Sequence, residues 1–203
     1  MEQSSPFAAF KKFIDLTGPI SDDAWVLLAK ILERKQVKKG ELTLQEGQVC
    51  RFIDFIETGS FRMFYNKDGA EFTTGLFTEG LCLTNMKSLS QETASELNLE
   101  ANETAVITRF YKDKLIGLYA RSPELQALGR KVLESMVIYE NSWKEMYTLY
   151  DPAERYEFLV RKSPETVLRF PMQHLASFLG IRRETLSRIR SRSKTNARSE
   201  KTS

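Results

Sequence analysis

The stretch from Pro171 to Arg192 constrains this chain most. Met172, Leu175, Ala176 and Leu179 recur at helical spacing and give one apolar stripe. Ala176 is small enough to let a second helix approach. Gly180 follows at the point where a helix stop requires the left-handed conformation, and Ile181 fills the corner. A second helix then buries Leu186 and Ile189, three residues apart. Arg183, Glu184, Ser187 and Arg188, at offsets of one, four and five, share its opposite face. A short helix with a packed back and an Arg-rich front suits a DNA major groove, where Arg pairs bidentately with guanine and Glu accepts from cytosine. Those four are the candidate base-reading residues. Gln173, His174, Arg182, Arg190 and Arg192 flank them and are candidates for phosphate contact.

The charge distribution agrees. The net charge of the 203 residues is +3, but residues 1–150 hold 18 Lys+Arg against 21 Asp+Glu, whereas residues 151–203 hold 12 against 6. The basic surplus lies on and after the proposed reading helix, as a phosphate-binding surface requires. Composition is that of an ordinary soluble globular protein, 41% hydrophobic and 28% charged. No apolar run reaches the length of a membrane span and the N-terminus lacks a signal-peptide core, so a cytoplasmic location and no membrane partner are expected. The two cysteines, Cys50 and Cys82, form no C-x-x-C and are expected as buried free thiols.

Taken in order, residues 1–35 are expected to be helical. Phe7, Phe10, Phe13 and Ile14 form a stripe, and Ser21-Asp22-Asp23 opens a second helix through Trp25, Leu28, Ile31 and Leu32. From Gln36 to about Arg109 glycines punctuate short aromatic and β-branched runs at 52–56, 61–65, 72–77 and 105–108, the mark of an all-β sandwich or barrel. Turns are expected at Glu57-Thr58-Gly59 and Asn66-Lys67-Asp68-Gly69. A long helix runs from Asp113 to about Tyr150, with Pro123 starting its main segment. Leu125, Leu128, Val132, Met136, Tyr139, Trp143 and Met146 alternate at three and four along it, a seam long enough for a coiled-coil-like dimer, the alternative being a single helix buried inside one subunit. Asp151-Pro152-Ala153-Glu154 combines an N-cap, an N1 proline and a capping box. Ser163-Pro164 opens another short helix. The tail after Arg192 carries no large apolar residue and is expected to be mobile.

The pattern Gln-His-Leu-Ala-x-x-Leu-Gly-Ile-x-Arg-Glu-Thr-Leu-Ser-Arg at 173–188 closely resembles the helix-turn-helix of the cyclic-AMP receptor protein/fumarate-nitrate regulator (Crp/Fnr) family of bacterial transcription factors. Residues 55–64, Phe-Ile-Glu-Thr-Gly-Ser-Phe-Arg-Met-Phe, resemble the central hairpin of that family's cyclic-nucleotide-binding β-roll. The resemblance implies an α+β fold. A β-roll sensor with N-terminal helices spans 1–120, a dimerisation helix 121–150, and a winged helix-turn-helix domain 151–203. It further implies a homodimeric, sequence-specific transcriptional regulator that binds an inverted-repeat site on double-stranded DNA and works with RNA polymerase. The sensor departs from the family. The Gly-Glu pair that holds the ribose falls near Thr84-Asn85, and the Arg-Ser/Thr pair that holds the cyclic phosphate falls near Ala94-Ser95. No arginine occurs between Met86 and Thr108. A phosphate buried there would be an unpaired charge. Thr84, Asn85, Lys87, Ser88, Ser90 and Ser95 are therefore the effector-pocket candidates; no cofactor and no cyclic AMP in its usual mode are expected, and a different small effector, or none, stays open.

Other chemistries fail by counting. An iron–sulfur sensor needs about four cysteines. His174 is the sole histidine, which leaves too few ligands for a haem or cupin-type site and no base for a hydrolase. Neither G-x-S-x-G nor G-x-x-x-x-G-K-[ST] occurs. No metal site and no enzymatic activity are expected. The competing function is a small-ligand-binding module whose basic C-terminal domain docks a protein partner rather than DNA. The two differ in salt dependence.

Overall fold

The computed structural model describes residues 6–199, with side-chain surroundings through Arg192. Its strands are β1 (Glu33–Val37), β2 (Leu42–Leu44), β3 (Phe52–Thr58), β4 (Phe61–Lys67), β5 (Ala70–Phe77), β6 (Cys82–Leu83), β7 (Asn98–Ala101) and β8 (Ala105–Tyr111). They make two antiparallel sheets of four strands, in the orders β1-β8-β3-β6 and β2-β7-β4-β5. Ile56 and Ile107 of the first sheet and Phe61, Leu99 and Ala101 of the second are fully buried in one shared core. The aromatic runs expected as strands are β3, β4, β5 and β8, and the turns at 57–59 and 66–69 join β3 to β4 and β4 to β5. The sequence reading named no strand at β1, β2, β6 or β7. These are short, and β1 is charged, so no hydrophobic alternation marks them. β1 also occupies the end of the stretch expected to be helical.

Helices α1 (Ala8–Thr17) and α2 (Asp22–Ala29) cover the outside of the first sheet. Phe10 of α1 lies 5.2 Å from Phe55 and 5.6 Å from Phe110, centroid to centroid. Ser21 caps α2 by accepting from the Ala24 amide. The segment after Asn85 forms a short helix, α3 (Met86–Gln91). The long C-terminal helix is two: α4 (Lys112–Tyr119) and α5 (Pro123–Leu149), the latter begun by Ser122 as N-cap and Pro123 at its first turn.

Helix α5 belongs to two cores. Leu125, Leu128 and Val132 are buried with the β-roll. Trp143 and Met146 are buried in a second cluster with residues of α6 (Pro152–Lys162), α7 (Pro164–Arg169), α8 (Met172–Phe178) and α9 (Arg183–Ser199). Each such side chain contributes about 1.5–3 kcal/mol of burial. This corrects the dimer seam. Leu125, Leu128, Val132, Trp143 and Met146 face the chain's own interior, and Met136 and Tyr139 are half-buried against the β-roll core. The large hydrophobic residues that α5 leaves exposed are Leu133, Val137, Ile138, Tyr147 and Leu149.

The capping box at α6 forms as expected. Asp151 accepts from the amides of Ala153 and Glu154, at 2.8 and 3.0 Å, and Glu154 accepts from the Asp151 amide at 2.9 Å. Two expectations at the C-terminus change. Helix α9 runs on to Ser199, through much of the tail expected to be mobile; residues 200–203 lie outside the described residues. Among the described residues no strand follows Tyr111, so the β-strands of a wing are missing there.

Candidate nucleic-acid interface and effector pocket

Helices α8 and α9 meet at a short turn in which Gly180 has φ +68°, the left-handed conformation that a residue with a Cβ adopts at a cost. The Ile181 amide donates to Ala176 O at 3.0 Å and closes the corner. Arg155, on α6, clamps it from outside: its Nη1 donates to Leu179 O at 3.2 Å and its Nε to Tyr150 O at 3.0 Å. Leu175, Leu179 and Leu186 are fully buried behind the turn. Sequence spacing gave no sign of Arg155, because its partners lie in other elements.

In front, Arg183, Glu184, Ser187 and Arg188 are all exposed and border one shallow surface depression. The four candidate base-reading side chains thus stand together. The phosphate candidates scatter. Arg182, Arg192 and Gln173 are exposed, whereas Arg190 is half-buried with its Nη1 3.7 Å from Met172 Sδ. His174 departs most. It points at the second sheet, its Nδ1 is buried without a hydrogen-bond partner, and its Nε2 lies 3.2 Å from Gln173 Nε2. Burial, and then the charge of Arg62, hold its pKa down to about 4 against the opposing pull of Glu71. A neutral, inward-facing imidazole is not a phosphate contact in this arrangement.

The face of α8 that carries His174 and Ser177 is docked on β5. The Thr73 amide donates to Ser177 Oγ at 2.9 Å, and Ser177 Oγ donates to Glu71 O at 3.3 Å. Asn102 Nδ2 donates to Arg169 O at 3.3 Å. The Arg169 guanidinium bridges Glu79, at 2.6 and 2.9 Å, and Glu103. These residues escaped the sequence reading because their partners are far apart in the chain.

The effector candidates mostly satisfy one another. Asn85 caps α3 by accepting from the Ser88 amide at 3.2 Å, and its Nδ2 donates to Ser95 Oγ at 2.8 Å. Ser95 Oγ donates to Leu97 O at 2.6 Å, Ser88 Oγ to Thr93 O at 2.6 Å, and Thr84 Oγ1 to Phe52 O at 2.7 Å. Lys87 is exposed and paired with Glu96 at 2.7 Å, and Ser90 is exposed on α3. A cleft of about 120 Å³ separates β6 from α5; of the six candidates, Thr84 alone borders it, together with Ser135, Tyr139 and Glu140. The carboxylate of Glu140 is the wrong charge for a phosphate. Cys50 and Cys82 are buried free thiols, and burial, aided by Asp54, pushes the Cys82 thiol up to about 12. Among the described residues no group of His, Cys, Asp and Glu could hold a metal, and no helix is long and apolar enough to cross a membrane.

Residues 34–122, from β1 through α4, match the cyclic nucleotide-binding domain family. No curated protein matches the sequence. Solved structures of Crp/Fnr-type regulators share the fold. The c-di-GMP-responsive global regulator CLP of Xanthomonas campestris is 15% identical, with TM-score 0.67, over 87% of this chain and 93% of its own. FixK2 of Bradyrhizobium japonicum is 16% identical, with TM-score 0.69, over 82% of this chain and 86% of its own. The catabolite activator protein of Thermus thermophilus is 18% identical, with TM-score 0.53, over 90% and 87% respectively. Likeness at such identity defines the architecture: a cyclic-nucleotide-binding-type β-roll followed by a long helix and a helical C-terminal unit.

Proposed function

We propose that the chain is a sequence-specific, DNA-binding transcriptional regulator that acts in the cytoplasm as a homodimer, with RNA polymerase as its further partner. The observation that carries this reading is the exposed face of α9, where Arg183, Glu184, Ser187 and Arg188 stand together over a buried Leu186. Arg188 and Arg183 suit guanine edges and Glu184 suits cytosine. Arg182 and Arg192 serve phosphates; His174 serves none while α8 is docked. A second copy pairs along the exposed α5 residues Leu133, Val137 and Ile138, which presents two reading helices to an inverted repeat with half-sites about one helical turn, or a multiple, apart. The sensor domain takes no cyclic nucleotide in the usual mode, since Thr84, Asn85, Lys87, Ser88 and Ser95 are bonded within the chain and no arginine occurs between Met86 and Thr108.

Selection of bound sites from random duplexes tests the reading. A recovered inverted repeat, with affinity falling in salt at a slope of about −0.9 per phosphate contact, supports it. Recovery of no motif, with a salt-insensitive protein partner instead, overturns it. Titration calorimetry with cyclic AMP is expected to give no heat at micromolar concentration.

A further inference from the structure

A cavity of about 210 Å³ lies outside the β-roll, between the first sheet and helices α1 to α5. Phe10, Leu28, Ile53, Phe110, Leu115 and Val132 form its walls, and all are buried. It is partly open to solvent beside Ile116 and Leu133, which are exposed; a closed apolar cavity of roughly 150 Å³ stays dry and admits benzene. The cleft beside Thr84 is a separate space further along α5 and shares none of these walls.

The polar groups at this cavity are few and all on its edge: Ser90, Lys112 and Tyr119. Two observations set Tyr119 apart. Its hydroxyl has no hydrogen-bond partner among the described residues, and burial raises its pKa. It also lies over Gly129, where a Cβ would stand 2.1 Å from the hydroxyl oxygen. Glycine weakens a helix interior relative to alanine. Here its missing Cβ makes room for a phenol whose hydroxyl donates to no group among the described residues. Lys112, two turns earlier on the same helix, donates to Leu89 O and pairs with Glu92, both at 2.9 Å. An ammonium carries three donors, so one remains.

From this geometry we infer that the cavity is a binding site for a small aliphatic molecule with one hydrogen-bond-accepting, carboxylate-type end. The apolar body fills the space among the phenylalanines and leucines. The acceptor takes the Tyr119 hydroxyl or the free Lys112 proton at the edge, where both donors favour an anion over a cation. The site concerns the chain by itself and stands whether or not the protein binds DNA.

Octanoate is the probe, with octylammonium as the charge-reversed control. Calorimetry on the full chain without DNA is expected to show saturable octanoate binding, well below its micellar range, and much weaker octylammonium binding. Nuclear Overhauser contacts from the alkyl chain to the Phe10 and Phe110 rings place it in the wild-type protein. Tyr119→Phe keeps the ring and removes the donor, and is expected to weaken octanoate by about tenfold or less. Leu115→Phe fills the cavity and is expected to abolish binding, with its fold checked by circular dichroism. No binding, equal affinity for the two probes, an unchanged affinity in Tyr119→Phe, or no contacts to those rings each overturns the proposal. The ring contacts decide the matter even if Leu115→Phe does not fold.

Discussion

His174 is half-buried and feels the Arg62–Glu71 ion pair, with burial first and then the Arg62 charge disfavouring its protonated form. Its pKa of about 4 lies below the ordinary value near 6.5, so between those limits the unfolded chain binds more protons than the folded one. Its contribution to stability is therefore complete above about pH 6.5 and is lost as pH falls towards 4. The side chain is half-buried, and solvent screening keeps the effect modest. His174→Gln is expected to reduce the loss of thermal midpoint between about pH 7 and pH 5. Parallel melting curves of the two proteins across that range would show the histidine to be a bystander. Deeper in the roll, Asp54 is fully buried and accepts both Arg109 Nε and Nη2 at 2.7 Å, with the guanidinium 3.4 Å above Phe52. Arg109→Ala strands that carboxylate and is expected to cost about 3–5 kcal/mol in chemical denaturation. On α9, Arg183→Ala is expected to cost on the order of 1–3 kcal/mol on the selected site and to relax one base pair. Arg192→Ala is expected to weaken all sequences about equally. A uniform loss in Arg183→Ala would remove that side chain from the groove.

At the scale of elements, α5 shows what a repeat of apolar residues can and cannot say. Leu125, Leu128, Val132, Trp143 and Met146 recur at three and four because one face of the helix is buried, and the same pattern serves a dimer or a core. In this chain both ends of that face are core. A dimer, if built on α5, uses the flank that carries Leu133, Val137 and Ile138. Val137→Glu with Ile138→Glu is expected to give folded monomers, whereas Val132→Glu is expected to unfold the chain. A sedimentation experiment that finds Val137→Glu/Ile138→Glu still dimeric places the interface elsewhere. The same distinction explains what was legible in the sequence. Capping signals such as Ser122-Pro123 and Asp151-Pro152-Ala153-Glu154 act within a few residues, and they marked the helix starts. Runs such as Phe61–Tyr65 carry a strand by their own composition. The pair Leu42–Leu44, the two-residue β6 and the charged β1 are strands because of their neighbours, and nothing local announces them. The reading face of α9 was legible because helical spacing fixes it. The inward turn of His174 was not, because it depends on Arg62 and Glu71 of another element.

For the whole molecule, the question is whether the roll and the C-terminal unit behave as one body. Three kinds of contact join them. Leu76 of β5 is buried in the C-terminal core, α5 runs through both cores, and Arg169 bridges Glu79 and Glu103 beside the Asn102 and Ser177 bonds. The first two are covalent or apolar and insensitive to salt. The third is partly exposed, so each ion pair is worth only about 0–1 kcal/mol and is screened further as salt rises. The docking of α8 on β5 therefore depends on the sum of weak polar contacts around a small apolar patch. It is the part of the molecule that should open first. Arg169→Ala with Ser177→Ala removes most of those polar contacts and leaves both cores intact. The double variant is expected to exchange the Thr73 amide proton markedly faster than wild type, with exchange inside β3 and β8 unchanged. Raising the salt concentration should speed Thr73 exchange in wild type and have little further effect in the variant. Calorimetry gives the complementary result: the wild type melts in one transition, with calorimetric and van't Hoff enthalpies equal, and the variant departs from that equality. If Thr73 exchange is the same in both proteins, the apolar contact through Leu76 and α5 alone holds the two units together, and the Arg169 bridge is decoration on a joint already closed.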